Sequence, residues 1–212
     1  PVTITHASQA KACAPAIIFV FGREFLQNLS RYSRQIALPE FGVEGQRRLN
    51  KASVLVIGAG GLGCPVLQYL VAAGVGKIGI IDGDRVDFSN LHRQILFREQ
   101  DVSKSKVEIA RERLKELNSE CEVLTWGERL TANNARKVFE SFDLIIDGSD
   151  NFATRYLVND CAVELEKPFV SGAIFKFSGQ ISIFNAQTGN KWGPTYRCLY
   201  PSPPPSALVP NC

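Results

Sequence analysis

The chain has 212 residues, enough for one sizeable α/β domain and too few for two comfortable ones. Apolar residues make up 45% and charged residues 21%, a composition that excludes an intrinsically disordered chain. The formal net charge is +3 and the positive residues are scattered, so we expect no nucleic-acid partner. The apolar run at residues 14–21 is too short to span a bilayer, and we expect no membrane association.

The six cysteines contain no Cys-x-x-Cys pair. Cys64, Cys121 and Cys161 lie within apolar patterns, where a free cysteine behaves as a small buried hydrophobic residue. An oxidising compartment favours a denser cysteine framework on loops. We therefore predict a cytoplasmic location, with residues 1–29 as an N-terminal segment of undetermined origin.

The predicted elements begin with short helices between Gly22 and Leu49, broken near Pro39 and Gly42. The apolar run at 52–57 predicts a strand buried on both faces of a parallel sheet. Further strands are predicted at 77–81, 121–125, 142–146, 168–170 and 179–184. Helices between them are predicted to end near Ala73 and to span 103–117, with Ser103 as N-cap, 133–140 and 151–165.

This alternation predicts an α/β fold, a Rossmann-like doubly wound and largely parallel sheet that continues into a mixed, antiparallel C-terminal part. We predict one domain over residues 30–190. Residues 192–212 carry five prolines after Tyr200 and predict an extended crossover loop. As a unit of the domain organisation, this Pro-rich crossover loop is predicted to span residues 191–212. We expect the natural chain to continue beyond residue 212.

A G-x-G-x-x-G turn follows the first strand, with Asp82 ending the second strand. Glycines at 58, 60 and 63 let the backbone approach phosphates, and an acidic residue at this distance accepts ribose hydroxyls. The pattern therefore predicts a nucleotide site, with NAD as the commonest ligand. The alternative is a tight turn with a purely structural role.

Two cations favour a triphosphate over a dinucleotide. Arg93 and Lys106 together suit the charge that develops on an α-phosphate, although Lys106 alone is also explained as a solvent-facing charge. Asp150 lies just after the fourth strand, which ends in Asp147, and its carboxylate could hold Mg²⁺. It could also be the N-cap of the next helix, and the two roles are compatible.

Separated motifs over residues 31–212 resemble those of the ThiF/MoeB/HesA family of ubiquitin-activating-like adenylyltransferases. They are RYSRQ (31–35), GAGGLG (58–63), the Asp82-x-Asp84 strand end, SNLHRQ (89–94), Lys106, Asp150-Asn151 and YRCLYP (196–201). The resemblance implies that ATP adenylates the C-terminal Gly-Gly carboxylate of a ubiquitin-like sulfur-carrier protein. It also implies a homodimer in which Arg34 reaches the phosphates of the neighbouring subunit.

Carried over from the family, Asp150, Arg93, Lys106 and Arg34 are the expected catalytic residues, and Asp150 is linked to Mg²⁺ through ATP. The expected nucleotide-binding residues are Gly58, Gly60, Gly61, Gly63, Asp82, Asp84, Ser89, Asn90, Leu91, His92, Arg93, Gln94, Lys106, Asp150 and Asn151. The competing hypotheses are a NAD-dependent oxidoreductase and a non-catalytic partner subunit of an activating enzyme.

Two features depart from the family pattern. Many relatives bind zinc through two Cys-x-x-Cys pairs, but Thr195 stands where the first pair needs a cysteine and only Cys198 remains, so we expect no zinc site. The C-terminal segment most resembles members with a C-terminal rhodanese domain. Cys212 matches a position where some relatives link covalently to the carrier, which makes it a candidate thiol nucleophile.

Overall fold

The computed structural model describes residues 30–204. Its helices are α1 (Ser33–Ile36), α2 (Gly42–Lys51), α3 (Gly63–Ala73), α4 (Lys106–Leu117), α5 (Ala132–Phe139), α6 (Phe152–Glu164) and α7 (Tyr196–Leu199). Its strands are β1 (Ser53–Ile57), β2 (Lys77–Ile81), β3 (Glu122–Trp126), β4 (Leu144–Asp147), β5 (Phe169–Phe175), β6 (Ser178–Phe184), β7 (Gln187–Thr188) and β8 (Lys191–Trp192). Short 3₁₀ helices occur at Phe88–Asn90 and Glu99–Asp101.

The chain divides into two units, residues 1–48 and 49–212. In the first unit, Gly42 has φ +58° and begins α2, as the predicted break at this residue requires. The Gln35 side-chain amide donates to Gln46 Oε1 within the same unit. The predicted domain boundary at residues 29 and 30 falls at the limit of the described residues and stays a prediction.

The second unit contains a six-stranded sheet in the order β3-β2-β1-β4-β5-β6. The first five strands are parallel, and β6 is antiparallel to β5. This confirms the predicted doubly wound fold with an antiparallel C-terminal part. Because β1 pairs with β2 on one side and β4 on the other, the loops after Ile57, Ile81 and Asp147 meet at one carboxyl edge.

Each face of the sheet carries its own hydrophobic core. Val54 and Val56 face one cluster, which includes α3 and α4, while Leu55 and Ile57 face the other, which includes α5 and α6. Alternate side chains of β1 are therefore buried on both sides, as a continuous apolar strand predicts. The predicted burial of three cysteines is confirmed: Cys64, Cys121 and Cys161 are 0%, 1% and 6% exposed.

The predicted N-cap at Ser103 is wrong, because α4 begins three residues later. Ser103 has φ +70° and donates its N–H to Val86 O at 2.8 Å. Lys106 N then donates to Asp84 O at 3.1 Å. The loop before α4 is therefore held by the segment after β2, and Ser105 occupies the cap position.

The prediction of a wholly extended tail from residue 192 is also wrong. Residues 196–199 form α7, since the prolines that prevent a helix begin only at Pro201. The buried Tyr196 donates its N–H to Asn159 Oδ1 on α6 at 2.8 Å, which anchors this turn to the second core cluster. The predictions for residues 205–212 concern a part of the chain outside the described residues.

Within residues 30–204, no helix has both the length and the apolar character needed to cross a bilayer.

Candidate active site

The glycine loop between β1 and α3 is closely packed on itself. Gly58 has φ +87°, a conformation that favours glycine. A Cβ at Gly63 would lie 1.9 Å from Gly58 O, so the start of α3 lies directly against the turn. Cys64 N–H donates to Gly60 O at 2.9 Å and Pro65 has no N–H, so an anion at this carboxyl edge would be bound by the glycine loop that precedes α3.

Asp82 ties this loop to the end of β2. Its Oδ2 accepts the N–H of Ala59 at 2.7 Å, and its Oδ1 accepts the N–H of Asp84 at 2.8 Å. The half-buried carboxylate keeps further lone pairs free for a ribose hydroxyl. The sequence predicts that Asp82 lies at the nucleotide site. It does not predict the hydrogen bond by which Asp82 also holds the glycine loop.

Lys106 is buried at the start of α4, only 5% exposed, so the solvent-facing alternative is wrong. Its Nζ donates to Asp84 Oδ2 at 3.2 Å. Arg129, after β3, lies 3.7 Å from the other oxygen of Asp84. A buried lysine is stable only when its charge is paired, and Asp84 supplies that pairing. Sequence reasoning missed Arg129, which no motif marks.

The segment 89–94 brings a second cation to the glycine loop. Asn90 Oδ1 accepts from the buried Gln94 amide at 2.7 Å and from Arg93 Nη2 at 3.4 Å. Arg93 Nη1 lies 3.0 Å from His92 Nε2. A Cβ at Gly61 would lie 3.4 Å from Arg93 Cδ, so the arginine side chain extends along the loop.

The start of this segment is held by a hydrogen-bonded turn. Asp87 Oδ1 accepts both the N–H and the hydroxyl of Ser89, at 2.8 and 2.5 Å. These bonds hold the pKa of the Asp87 carboxyl below its usual value. Leu91 is half-buried and packs against the core cluster that includes α3 and α4, which anchors the segment 89–94 to the core.

The loop after β4 lies against the glycine loop. A Cβ at Gly148 would lie 3.3 Å from Ile57 O and 3.4 Å from Gly63 N. Asp150 follows as an exposed residue. The N-cap alternative for Asp150 is wrong, because Asn151 is the cap of α6 and accepts from Thr154 N at 2.9 Å. An exposed carboxylate fits an oxygen ligand of Mg²⁺.

Asp147 is almost fully buried beneath this loop, 1% exposed. Burial raises the pKa of its carboxyl, while the hydrogen bond from Ser149 N–H and the charge of Arg155 act in the opposite direction. Arg155 itself lines a small polar cleft with Ser171, Gln180 and other residues. Sequence reasoning missed Arg155. The available signal was its place in the first turns of α6, five residues after Asp150.

The sequence also predicts catalytic roles for Arg34 and Cys212. Arg34 is exposed on α1 in the first unit, and Cys212 lies outside the described residues. Within residues 30–204, no group of three or more His, Cys, Asp or Glu side chains could hold a metal ion. Cys198 Sγ is instead 3.4 Å from both the N and Oγ1 of Thr195, so this donor set does not fit a four-thiolate zinc site.

Comparison with known proteins identifies the relatives of this chain. It is 54% identical over 187 residues to the sulfur carrier protein adenylyltransferase of Thermus thermophilus, covering 88% of this chain and 69% of that protein. It is 53% identical over 184 residues to the adenylyltransferase and sulfurtransferase MOCS3 of Culex quinquefasciatus, covering 87% of this chain and 41% of that protein. The chain thus spans well under half of this second relative.

The solved structures agree with these sequence matches. The crystal structure of E. coli MccB with ATP superposes with a TM-score of 0.69 at 30% identity, covering 79% of this chain and 50% of that chain. The family model of the ThiF family matches residues 32–212, most of the sequence. The chain therefore belongs to the ThiF family.

Proposed function

We propose that this chain uses ATP to adenylate the C-terminal Gly-Gly carboxylate of a ubiquitin-like sulfur-carrier protein. One observation carries the proposal: the buried Lys106, Arg93 against the glycine loop, and the loop before Asp150 all lie at one carboxyl edge. Two cations beside a phosphate-binding turn suit a triphosphate better than a dinucleotide. The relatives support this over the oxidoreductase hypothesis, since both are named adenylyltransferases.

In this reaction, an oxygen of the carrier carboxylate attacks the α-phosphorus of ATP. The new bond joins carboxylate oxygen to phosphorus, while the bond to the bridging oxygen breaks and pyrophosphate leaves with the electron pair. The attacking carboxylate is ionised at neutral pH, so no general base is needed. Catalysis comes from positioning two anions and offsetting their repulsion.

The roles of the residues follow from their surroundings. The glycine loop binds phosphate oxygens through backbone N–H groups, and Asp82 accepts the ribose hydroxyls. Arg93 and Lys106 neutralise the phosphates, and the ion pair with Asp84 orients the Lys106 ammonium group. Mg²⁺, held by Asp150 and ATP oxygens, would neutralise the charge of the leaving pyrophosphate.

Two further proposals concern the assembly of this chain into a dimer and its location in the cell. We propose a homodimer in which Arg34 contacts the phosphates of the neighbouring subunit, a role supported by its RYSRQ motif. A cytoplasmic location is supported by the cysteines, since Cys64, Cys121, Cys161 and Cys198 are free thiols.

ATP–pyrophosphate exchange with carriers ending in Gly-Gly tests the adenylation. We expect exchange with at least one carrier and a loss of roughly 100-fold or more in Lys106→Met, because a paired cation at the phosphates is removed. Lys104→Met is the matched control, since Lys104 is half-exposed and pairs with Asp101 instead. Exchange that is absent with every carrier, or unchanged in Asp150→Ala, contradicts the proposal.

Mixed dimers test the role of Arg34. Arg34→Ala and Asp150→Ala proteins are each expected to be inactive, and mixing them should restore up to about a quarter of the wild-type activity, since one intact site forms per mixed dimer. Subunit exchange is confirmed with differently tagged copies. Full exchange without recovered activity would count against a site shared between subunits.

A further inference from the structure

The backbone of Ser149, immediately before Asp150, is held on both sides. Its N–H donates to Asp147 Oδ1 at 3.0 Å, and its carbonyl accepts from Arg155 Nη2 at 3.0 Å. Asp147 thus contacts the peptide plane between Gly148 and Ser149, and Arg155 contacts the plane between Ser149 and Asp150. Hydrogen bonds to charged groups are stronger than neutral ones, so both planes are firmly oriented.

Asp150 itself has little else to orient it. Its carboxylate is exposed, and the contact with Asn151 Nδ2 is long, at 3.5 Å. Where a side chain makes weak contacts of its own, its direction is set by the backbone that carries it. The orientation of the Asp150 carboxylate therefore depends on the backbone of Ser149.

Arg155 is in turn held in place. Its guanidinium lies 5.7 Å from the ring centroid of Phe152. Arg155 lines one small cleft together with Tyr196 and Ser171. A planar guanidinium with these neighbours can rotate little, so its bond to Ser149 O is kept in one geometry.

The arrangement is not one that stability alone favours. Asp147 Oδ2, Ser149 Oγ and Arg155 Nε are buried without a hydrogen-bond partner in the part of the chain that the structure describes. Such atoms cost stability, and charged groups are kept in such surroundings mainly at functional sites.

We propose that Arg155 and Asp147 are positioning residues, which fix the two peptide planes around Ser149 so that the Asp150 carboxylate faces the metal-bound phosphates of ATP. The inference rests on the proposed adenylation and extends it to two residues that the family motifs do not include. Because catalytic groups must be held within a fraction of an ångström, loosening this backbone slows the chemical step more than it weakens binding.

Hydrogen exchange of the nucleotide-free protein gives a test that needs no activity. In Arg155→Met, the Ser149 amide is expected to exchange about tenfold faster, with a smaller change in Arg155→Lys, which keeps one donor. Arg111→Met is the matched control, since Arg111 is a half-exposed arginine of α4 paired with Glu108. Unchanged exchange at Ser149 in both Arg155 variants overturns the proposal.

Steady-state exchange of ATP and pyrophosphate separates positioning from direct contact. We expect kcat to fall roughly 10- to 100-fold in Arg155→Met, while the KM for the carrier changes less than about threefold. Asp147→Asn keeps an acceptor for Ser149 N–H and is expected to lose less activity than Arg155→Met. A raised KM with unchanged kcat would mean that Arg155 contacts the substrate, which overturns the positioning role.

The two proposals fail in different ways. If the wild-type chain gives no exchange with any carrier, the adenylation proposal fails. Hydrogen exchange at Ser149, together with the affinity for Mg·ATP measured by titration calorimetry, then still decides the positioning role. An affinity and a Ser149 exchange rate that are both unchanged in Arg155→Met would refute it.

Discussion

Gly63 and Gly127 differ in whether they can accept the methyl group of alanine. A Cβ at Gly63 would meet the backbone oxygen of Gly58 at 1.9 Å, whereas the nearest atom at Gly127 is a methyl of Val107 at 3.7 Å. Backbone contacts cannot be relieved by a side-chain rotation. The first position therefore requires the absence of a side chain, and the second does not.

We expect Gly63→Ala to lower the free energy of unfolding by about 2–3 kcal/mol, because the contact forces the glycine loop apart. Gly127→Ala should change it by less than about 1 kcal/mol. Urea unfolding measures both. Mg·ATP affinity should fall only in Gly63→Ala, and equal stability of the two variants would contradict the packing argument.

Thiol reactivity is also decided residue by residue. Hydrogen bonds from Thr195 lower the pKa of the exposed Cys198 thiol, while burial raises the pKa of Cys64, Cys121 and Cys161 to about 11. Since the thiolate is the nucleophile, iodoacetamide at pH 7.5 should label Cys198 at least tenfold faster than the other three. Thr195→Val should slow that labelling. Mass spectrometry of peptides reads the rates, and faster labelling of Cys64 would refute the assignment.

At the scale of elements, α7 is attached to α6 by charge and aromatic contacts. Arg197 Nε and Nη2 each donate to Asp160 at 2.6 Å, and the guanidinium lies 4.8 Å from the ring centroid of Tyr156. The Tyr156 hydroxyl donates to Tyr200 O at 2.9 Å. These contacts attach the segment 196–200 to α6 through side chains of the chain itself.

We expect Arg197→Met to lower the free energy of unfolding at pH 7, by an amount limited by the half-exposed setting of the pair. The hydrogen bond from Arg197 lowers the pKa of Asp160. A carboxyl with a lowered folded pKa stabilises the protein above its unfolded pKa, and loses that contribution as the pH falls through the folded pKa.

The difference between wild type and Arg197→Met should therefore stay constant from pH 7 to about 5 and shrink below about pH 4. Urea unfolding over this range measures it. Asp160→Asn serves as the control, because its own difference from wild type should shrink in the same window. A difference that grows on acidification would contradict the ion-pair explanation.

At the scale of the 49–212 unit, β1 is shared by the two cores. Leu55 and Leu67 are both fully buried, the first in the α5–α6 cluster and the second in the α3–α4 cluster. Because one central sheet joins both clusters, we expect Leu55→Ala and Leu67→Ala each to cost about 3 kcal/mol in one shared unfolding transition. Leu117→Ala, on the partly exposed end of α4, should cost much less. Two separate transitions in calorimetry would contradict this coupling.

The fold was predictable because its signals are local. The apolar run of β1, the glycine turn and the return of the chain through α3 are encoded by neighbouring residues, and their alternation leaves few topologies open. The N-cap at Ser103 was mispredicted because a distant partner, Val86, holds that residue outside the helix. The helix at 196–199 was missed because its support comes from α6.

The sequence by itself determined the order of strands and helices, the glycine loop and the acidic ends of β2 and β4. Covalent neighbours and hydrophobic periodicity encode all of these. Only the tertiary structure decided that Lys106 is buried against Asp84 and that Arg155 holds the peptide before Asp150. Such pairings depend on which elements pack together and on how deeply each charge is desolvated, and no local pattern carries that information.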